Sequence, residues 1–439
     1  MIMEKTIFLV PPNKEGYIRD TFYGCWHKPK FLNYYWPPIH YQYLKSIISD
    51  SKIIDSPALG FDKKGTLKIL ISENPSFLVI NTGTFLFEHD INFIKEIKTK
   101  LDVKIILYGQ HPTQCPRESL KHECVDFLIK GEPEPVLYDI ICNKNNKSYL
   151  KRLKGVCFDN HISPVISVVD DLDKLPIPSR NIFSEERYSN PLAVSHPFTS
   201  ILASRGCDYK CSFCTVPLIS GKYRSRTVSN VIDELRLLRN QGFKELFFRD
   251  ENFLYDSKFI KKLCKAIVKE KLNFTWMCNA RVDSINEEVI SLMKRSGCHL
   301  IKLGVETNSQ DILNEYDKNV TIEQTKKAFR ICNNYDIDTL SHFIIGLNKE
   351  SHDSIIKLVD FANSLDATYA SFDSLIRYPN QKIKIMNNEQ ELNYFHNLAF
   401  RKFFLSSKTI FNNIINTKSM YQFKNKVKST FKLWSNILR

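Results

Sequence analysis

A chain of 439 residues exceeds what one hydrophobic core usually covers, so two or three domains are expected. An apolar fraction of 43% beside 25% charged residues excludes a disordered or fibrous protein. The formal net charge is +14, but from Leu392 onward there are nine Lys or Arg and no Asp or Glu, so the body is only mildly basic and no nucleic-acid groove is indicated.

No run approaches the roughly eighteen apolar residues of a membrane span, and the opening MIMEKTIFLVPP is too short for a secretory signal. A cytoplasmic location is therefore expected. In that reducing compartment the 12 cysteines read as metal ligands or buried thiols rather than disulfides.

Short β-rich runs at Ile7–Val10, Lys52–Asp55, Phe77–Ile80, Lys104–Leu107 and Phe127–Ile129 alternate with helical patterns such as Ile91 to Leu101. This rhythm predicts a doubly wound, Rossmann-like parallel sheet over residues 1–145, covered on both faces. Such sheets bind ligands beyond the carboxyl ends of their strands. Those ends carry Thr82 and Thr84, Gly109 and His111, and Gly131, small enough to admit a large flat cofactor. Residues 146–195, with Pro164, Pro176, Pro178 and Pro191, read as a linker.

A second series follows over residues 196–385, with strands at Ser200–Ser204, Glu245–Phe248, Phe274–Cys278, Leu300–Val305, Thr339–Ile345 and Tyr369–Phe372. Gly242 and Gly297 stand where helices would end on a left-handed residue. Six strand–helix units predict a partial (β/α)6, TIM-like barrel. Residues 386–439 form a basic helical tail, with Phe395, Leu398, Phe403, Phe404, Ile410, Phe411, Ile414 and Ile415, then Phe423, Val427, Phe431 and Trp434, at helical spacing among lysines. Such helices either pack on the barrel or rest on an anionic membrane surface.

Cys207, Cys211 and Cys214 form C-x3-C-x2-C directly after the first barrel strand, where active-site loops of such barrels sit. Three thiolates on one loop suit three corners of a [4Fe–4S] cluster and leave one iron open. Buried or zinc-binding cysteines are the alternative, although zinc would want a fourth ligand in paired spacing.

This arrangement resembles the radical S-adenosylmethionine (SAM) superfamily. The resemblance implies that the open iron chelates SAM, whose reductive cleavage yields a 5′-deoxyadenosyl radical. It places Phe213 near the adenine, and Asp250 and Glu251 of Phe248–Phe253 at the methionine ammonium group. Asn279 and Arg281 then serve the methionine carboxylate or ribose, Glu306 of Gly304-Val305-Glu306 the ribose or a positioning contact, and Gly346 the strand backing the adenine.

The amino-terminal half resembles the cobalamin-binding branch of that superfamily, through Pro11-Pro12, Gly109-Gln110-His111-Pro112-Thr113 and the D-x-x-x-x-G-E run of Asp126 to Glu132. Two departures stand out: Tyr108 replaces a glycine, and no D-x-H-x-x-G loop supplies a lower cobalt ligand. Under this resemblance Thr82, Thr84, Gly109, His111 and Gly131 line the cobalamin pocket.

The expected protein is an enzyme with one [4Fe–4S] cluster, SAM and cobalamin, methylating an unactivated centre of a small or lipid-like molecule. An electron donor such as flavodoxin or ferredoxin is implied, and no nucleic acid. Three alternatives stay open: cobalamin-dependent cyclisation or rearrangement, a tRNA methylthiotransferase-like activity, and a non-catalytic cluster-binding regulator. The aromatic segment Phe31 to Tyr43 is broadly reminiscent of relatives acting on hopanoid lipids.

Overall fold

The computed structural model describes residues 4–12, 35–180, 188–376, 387–406 and 417–427, together with 18–19, 26–27, 378–379 and 409. Among these, strands β1 (Thr6–Val10), β4 (Ser51–Asp55), β5 (Phe77–Asn81), β6 (Lys104–Tyr108), β7 (Phe127–Ile129) and β8 (Val156–Cys157) form one sheet, with a separate short pair β2 (Ile18–Arg19) and β3 (Trp26–His27). The order is β4-β1-β5-β6-β7-β8, parallel except for β8, which runs antiparallel to β7. The predicted linker therefore contributes an edge strand, which its scattered prolines concealed.

Alternate residues of the central strands feed two cores. Phe8, Val10, Val79 and Ile106 pack on one face with Tyr41 and Leu44, while Leu9, Ile80 and Leu107 pack on the other with Phe87, Ile91 and Ile94. Burial on both faces is why these strands read as unbroken apolar runs. The Tyr41 hydroxyl donates to Leu9 O and accepts from Asn81 N, each at 2.8 Å, and so ties the adjacent strand ends together.

The second sheet has the order β16-β15-β14-β13-β12-β9, with every neighbour parallel. Its strands are β9 (Phe198–Ile201), β12 (Glu245–Phe248), β13 (Thr275–Arg281), β14 (Cys298–Glu306), β15 (Asp338–Ile345) and β16 (Tyr369–Ser374). Between the first two lies a small antiparallel pair, β10 (Ser204–Arg205) with β11 (Arg224–Ser225). Helices cover the outside. One of them, Ser257–Lys269, starts where the Asp256 carboxylate accepts from the amides of Lys258 and Phe259 and buries Phe259, Ile260, Leu263, Cys264 and Ile267. A cap of this kind contributes about 1 kcal/mol. Gly242 and Gly297 do follow helix ends, at φ +90° and +100°.

The inner face of the barrel carries Phe198, Phe247, Met277, Leu300, Leu340 and Tyr369, joined by Trp36 from the amino-terminal half. The tail folds back on this barrel where it is described. Helix Glu389–Phe404 buries Phe395 and Phe403, and residues 420–427 form a further helix. Tyr421 stacks on His196, Ser419 donates to Val194 O at 2.6 Å, and Lys418 pairs with Asp338 at 3.1 Å. Met420, Phe423 and Val427 face outward. The predicted helical positions Ile410, Phe411, Ile414, Ile415, Phe431 and Trp434 lie outside the described residues, as do residues 31–34 of the aromatic segment. No described helix is long and apolar enough to cross a membrane.

Candidate active site

After β9 the chain turns into the β10–β11 hairpin, and the cysteine loop opens at Gly206. Gly206 has φ +80°, and a Cβ there would stand 2.2 Å from Lys222 O, so the hairpin closes only over glycine. Gly206→Ala should therefore push the loop off the hairpin and roughly abolish iron retention at Cys207, read as iron per chain after reconstitution.

The loop is anchored on both flanks. Cys207 N donates to Gly221 O at 3.2 Å, and Ser212 donates through N to Tyr316 O at 3.0 Å and through Oγ to Asp317 Oδ2 at 2.9 Å. Cys214 N donates to Cys211 O at 3.0 Å. Arg281 reaches in from the end of β13 and donates to Cys211 Sγ at 3.4 Å. Its guanidinium is itself fixed by both Asp283 oxygens at 3.0 Å, by Lys318 O at 2.6 Å, and by the Tyr209 ring 3.7 Å away. Burial pushes the Cys207 thiol up and the Cys214 thiol up to about 12, and the neighbouring cysteines add to both shifts. The buried thiols of Cys207 and Cys214 give up their protons more readily to a multiply charged cation, and with Cys211 on the same short loop this donor set fits an iron cluster.

The two predicted carboxylates part company. Asp250, fully buried, accepts from Ala203 N at 3.1 and 3.2 Å and from Ser204 Oγ at 2.6 Å, and burial pushes it up to about 6. Its oxygens hold β12 to the start of the cysteine loop. Glu251 keeps one buried oxygen, Oε2, with no hydrogen bond. Burial, then the charge of Asp250, pushes Glu251 up to about 7, and it interacts electrostatically with Cys207.

Asn279 donates to Asp250 O at 3.1 Å and so braces the loop end. Glu306, at φ +69°, pairs with Lys318, whose Nζ stands 5.8 Å from the Phe213 ring. Phe213 packs with Tyr316, Leu347 and Leu375, and so borders Gly346. At Gly346 a Cβ would meet Leu392 of the tail helix at 2.8 Å.

At the ends of the amino-terminal strands, Thr82 Oγ1 donates to Asp90 at 2.6 Å, and both the N–H and hydroxyl of Thr84 donate to Gln110 Oε1 at 2.9 Å. A Cβ on Gly109 would meet Thr82 O at 2.7 Å, and Gly131 N donates to Thr113 Oγ1 at 3.0 Å. Gln110 Nε2 is buried there without a hydrogen bond. Compact loops with an orphaned amide suit a large polar-edged ligand such as a corrinoid. Tyr108 packs edge-on to Tyr41, 6.2 Å between centroids, within the core.

Sequence reasoning missed what joins the two halves. Arg205, two residues before Cys207, donates to Glu134 at 2.8 Å, and Arg224 grips both oxygens of Glu132 at 3.0 Å. The only signal was the Gly131-Glu132-Pro133-Glu134 run, whose partners lie more than seventy residues away.

A cysteine loop at the mouth of a partial barrel, braced against a doubly wound domain, defines an enzyme class built around an iron–sulfur centre. The radical SAM superfamily pattern matches residues 201–362. An uncharacterised methyltransferase of Pyrococcus horikoshii is 29% identical over 359 residues, 79% of this chain and 77% of the relative. An anaerobic magnesium-protoporphyrin IX monomethyl ester cyclase of Rubrivivax gelatinosus is 24% identical over 78% of this chain, and the chain spans 65% of that relative's length. The radical SAM methyltransferase TsrM from Kitasatospora setae, solved with cobalamin and a [4Fe–4S] cluster, superposes with a TM-score of 0.67 at 19% identity, covering 85% of this chain and 75% of TsrM, which shows a common fold. Residues 201–362 therefore carry a radical SAM domain, and the chain as a whole shares the two-domain fold of TsrM.

Proposed function

We propose that this protein is a radical SAM methyltransferase that uses cobalamin and modifies an unactivated centre of a small molecule. The observation that carries this reading is the Cys207–Cys211–Cys214 loop, held by Arg281 beside the unpaired Glu251 oxygen and clamped to a cobalamin-type domain. When bound, the cluster and SAM supply a carbon radical, and cobalamin supplies the methyl group.

In this reading the three thiolates hold the cluster and Arg281 neutralises part of its charge at Cys211. Glu251, rather than Asp250, takes the methionine ammonium, because the Asp250 oxygens are already engaged by Ala203 and Ser204. Phe213 and the Gly346–Leu347 turn offer the adenine an apolar wall. Lys318 holds Glu306 for the ribose, and Asn279 positions the Asp250 loop. Thr82, Thr84, Gly109, His111 and Gly131 border the cobalamin, and a flavodoxin or ferredoxin delivers the electron. The outward Met420, Phe423 and Val427 with Lys424 supply a membrane-surface contact, and loss of liposome binding on truncation after residue 416 tests it.

SAM binding should depend on pH through Glu251. With its carboxyl near 7, the ionised fraction rises about tenfold from pH 6 to pH 8, and SAM affinity should rise in parallel by roughly tenfold. Glu251→Gln should weaken binding and flatten that profile in equilibrium dialysis.

The deciding experiment supplies methyl-labelled SAM, dithionite and hydroxocobalamin to the reconstituted protein with extract of its own cells. A product heavier by one labelled methyl group supports transfer. Consumption of SAM with no such product overturns it in favour of cyclisation, which the similarity to the cyclase favours. Absence of SAM turnover would leave a binding protein.

A further inference from the structure

The loop after β6 holds a second group of metal-type donors, none of them a residue of the cysteine loop. His111 lies on the short helix Gln110–Gln114, Glu118 on Pro116–Leu120, and Cys115 between them. One ligand atom from each, a ring nitrogen, the sulfur and a carboxylate oxygen, lies within 4.8 Å of the others.

A hydrogen-bond chain sets the histidine tautomer. Gln110 Oε1 accepts from the Thr84 amide, so it is the oxygen, and it also accepts the Thr84 hydroxyl proton. That hydroxyl can then only accept from His111 Nδ1, 3.3 Å away. The ring proton therefore sits on Nδ1 and the lone pair on Nε2, the pattern by which a metal-ligating histidine is oriented from behind. The ring is also stacked on Phe87, 3.9 Å between centroids at 24°. His111 is 4% exposed and its Nε2 makes no hydrogen bond, yet it faces the Glu118 carboxylate at 3.9 Å. The buried lone pair thus faces a carboxylate and a sulfur that already interact with each other, three donor atoms converging on one point that a cation would satisfy together.

We propose that His111, Cys115 and Glu118 bind one divalent ion of the zinc class, with water as the fourth ligand. Mixed nitrogen, sulfur and oxygen donors suit zinc rather than magnesium or calcium. On binding, the Cys115 S–H bond breaks and its proton leaves to solvent. Helix Gln110–Gln114 packs against Val216–Ser220, which follows the cysteine loop, so the ion braces the rim where the two halves meet. This site does not depend on the methyl-transfer reading.

The test uses the full-length protein with its iron cluster reconstituted, exposed to Zn2+ alone and then washed. About one zinc per chain should remain, with an X-ray absorption edge fitted by a single sulfur among lighter donors. Cys115→Ser should remove that sulfur and weaken retention at least tenfold, with iron content unchanged. Glu118→Gln, at an exposed side chain that does not threaten folding, should weaken retention and keep the sulfur. A wild-type protein that retains no zinc overturns the proposal, as does zinc bound by three sulfurs or retention indifferent to Cys115→Ser.

Discussion

Cys211→Ser should reduce iron after anaerobic reconstitution from about four atoms per chain to near background and abolish reductive SAM cleavage. The hydroxyl of serine keeps its proton where a thiol can give it up to iron, so one of three anchors is lost. Cys142→Ser, in the helix Leu137–Cys142 of the other domain, should leave iron unchanged. Arg281→Leu separates binding from tuning. The three sulfurs remain, but the positive charge donating to Cys211 Sγ at 3.4 Å disappears. Positive charge favours the reduced cluster, so the potential should fall by on the order of 50 mV while iron content holds. An unchanged potential would show that Arg281 serves the loop through Asp283 and Tyr209 alone.

Arg205→Leu should destabilise the protein by about 3–5 kcal/mol at neutral pH, read from urea unfolding, because it leaves the buried Glu134 carboxylate against an apolar side chain. Arg205 and Glu134 are both nearly inaccessible and 2.8 Å apart. Burial alone would raise the Glu134 carboxyl, but Arg205, then His40, hold it well below the usual carboxylate range. A carboxylate depressed in the folded state contributes stability above its unfolded value of about 4.3, and that contribution is lost as the pH falls toward the folded value. The wild type should therefore weaken as pH falls below about 4.5. In Arg205→Leu the same carboxyl is raised instead, and protonation relieves it. The two stability curves should converge on acidification. Because Arg205 lies two residues before Cys207, the variant should also lose iron at neutral pH.

These effects mark the boundary between local and long-range information. The strand rhythm was legible because burial on both faces of a parallel sheet leaves an apolar run in each strand. The barrel strands were found to within about three residues at either end, since Gly242 and Gly297 mark helix ends locally. Edge strand β8 was not legible, because two residues paired antiparallel carry no period.

At the site, the residue types and spacing of Cys207, Cys211, Cys214 and Phe213 could be read directly, since one short loop carries them. Asp250 and Glu251 looked alike in the sequence and differ in the fold, where Ala203 and Ser204 engage only the former. Its motif places Glu306 at the ribose or in a positioning contact, and its partner Lys318 could be found only in the fold. In the tail, Lys418 pairs with Asp338 and Tyr421 stacks on His196, while Met420, Phe423 and Val427 stay exposed, a division the lysine-rich sequence did not show.

From the chain alone came the parallel α/β order, the six-unit barrel and the three-thiol loop, because each is written in residues close together along the backbone. Only the tertiary structure decided which carboxylate keeps an oxygen without a hydrogen bond, how Glu132 and Glu134 lock the halves through Arg224 and Arg205, and which proton His111 carries. Those outcomes depend on hydrogen-bond partners brought together from distant positions, and a buried polar group's chemistry is set by its partners rather than by its own identity.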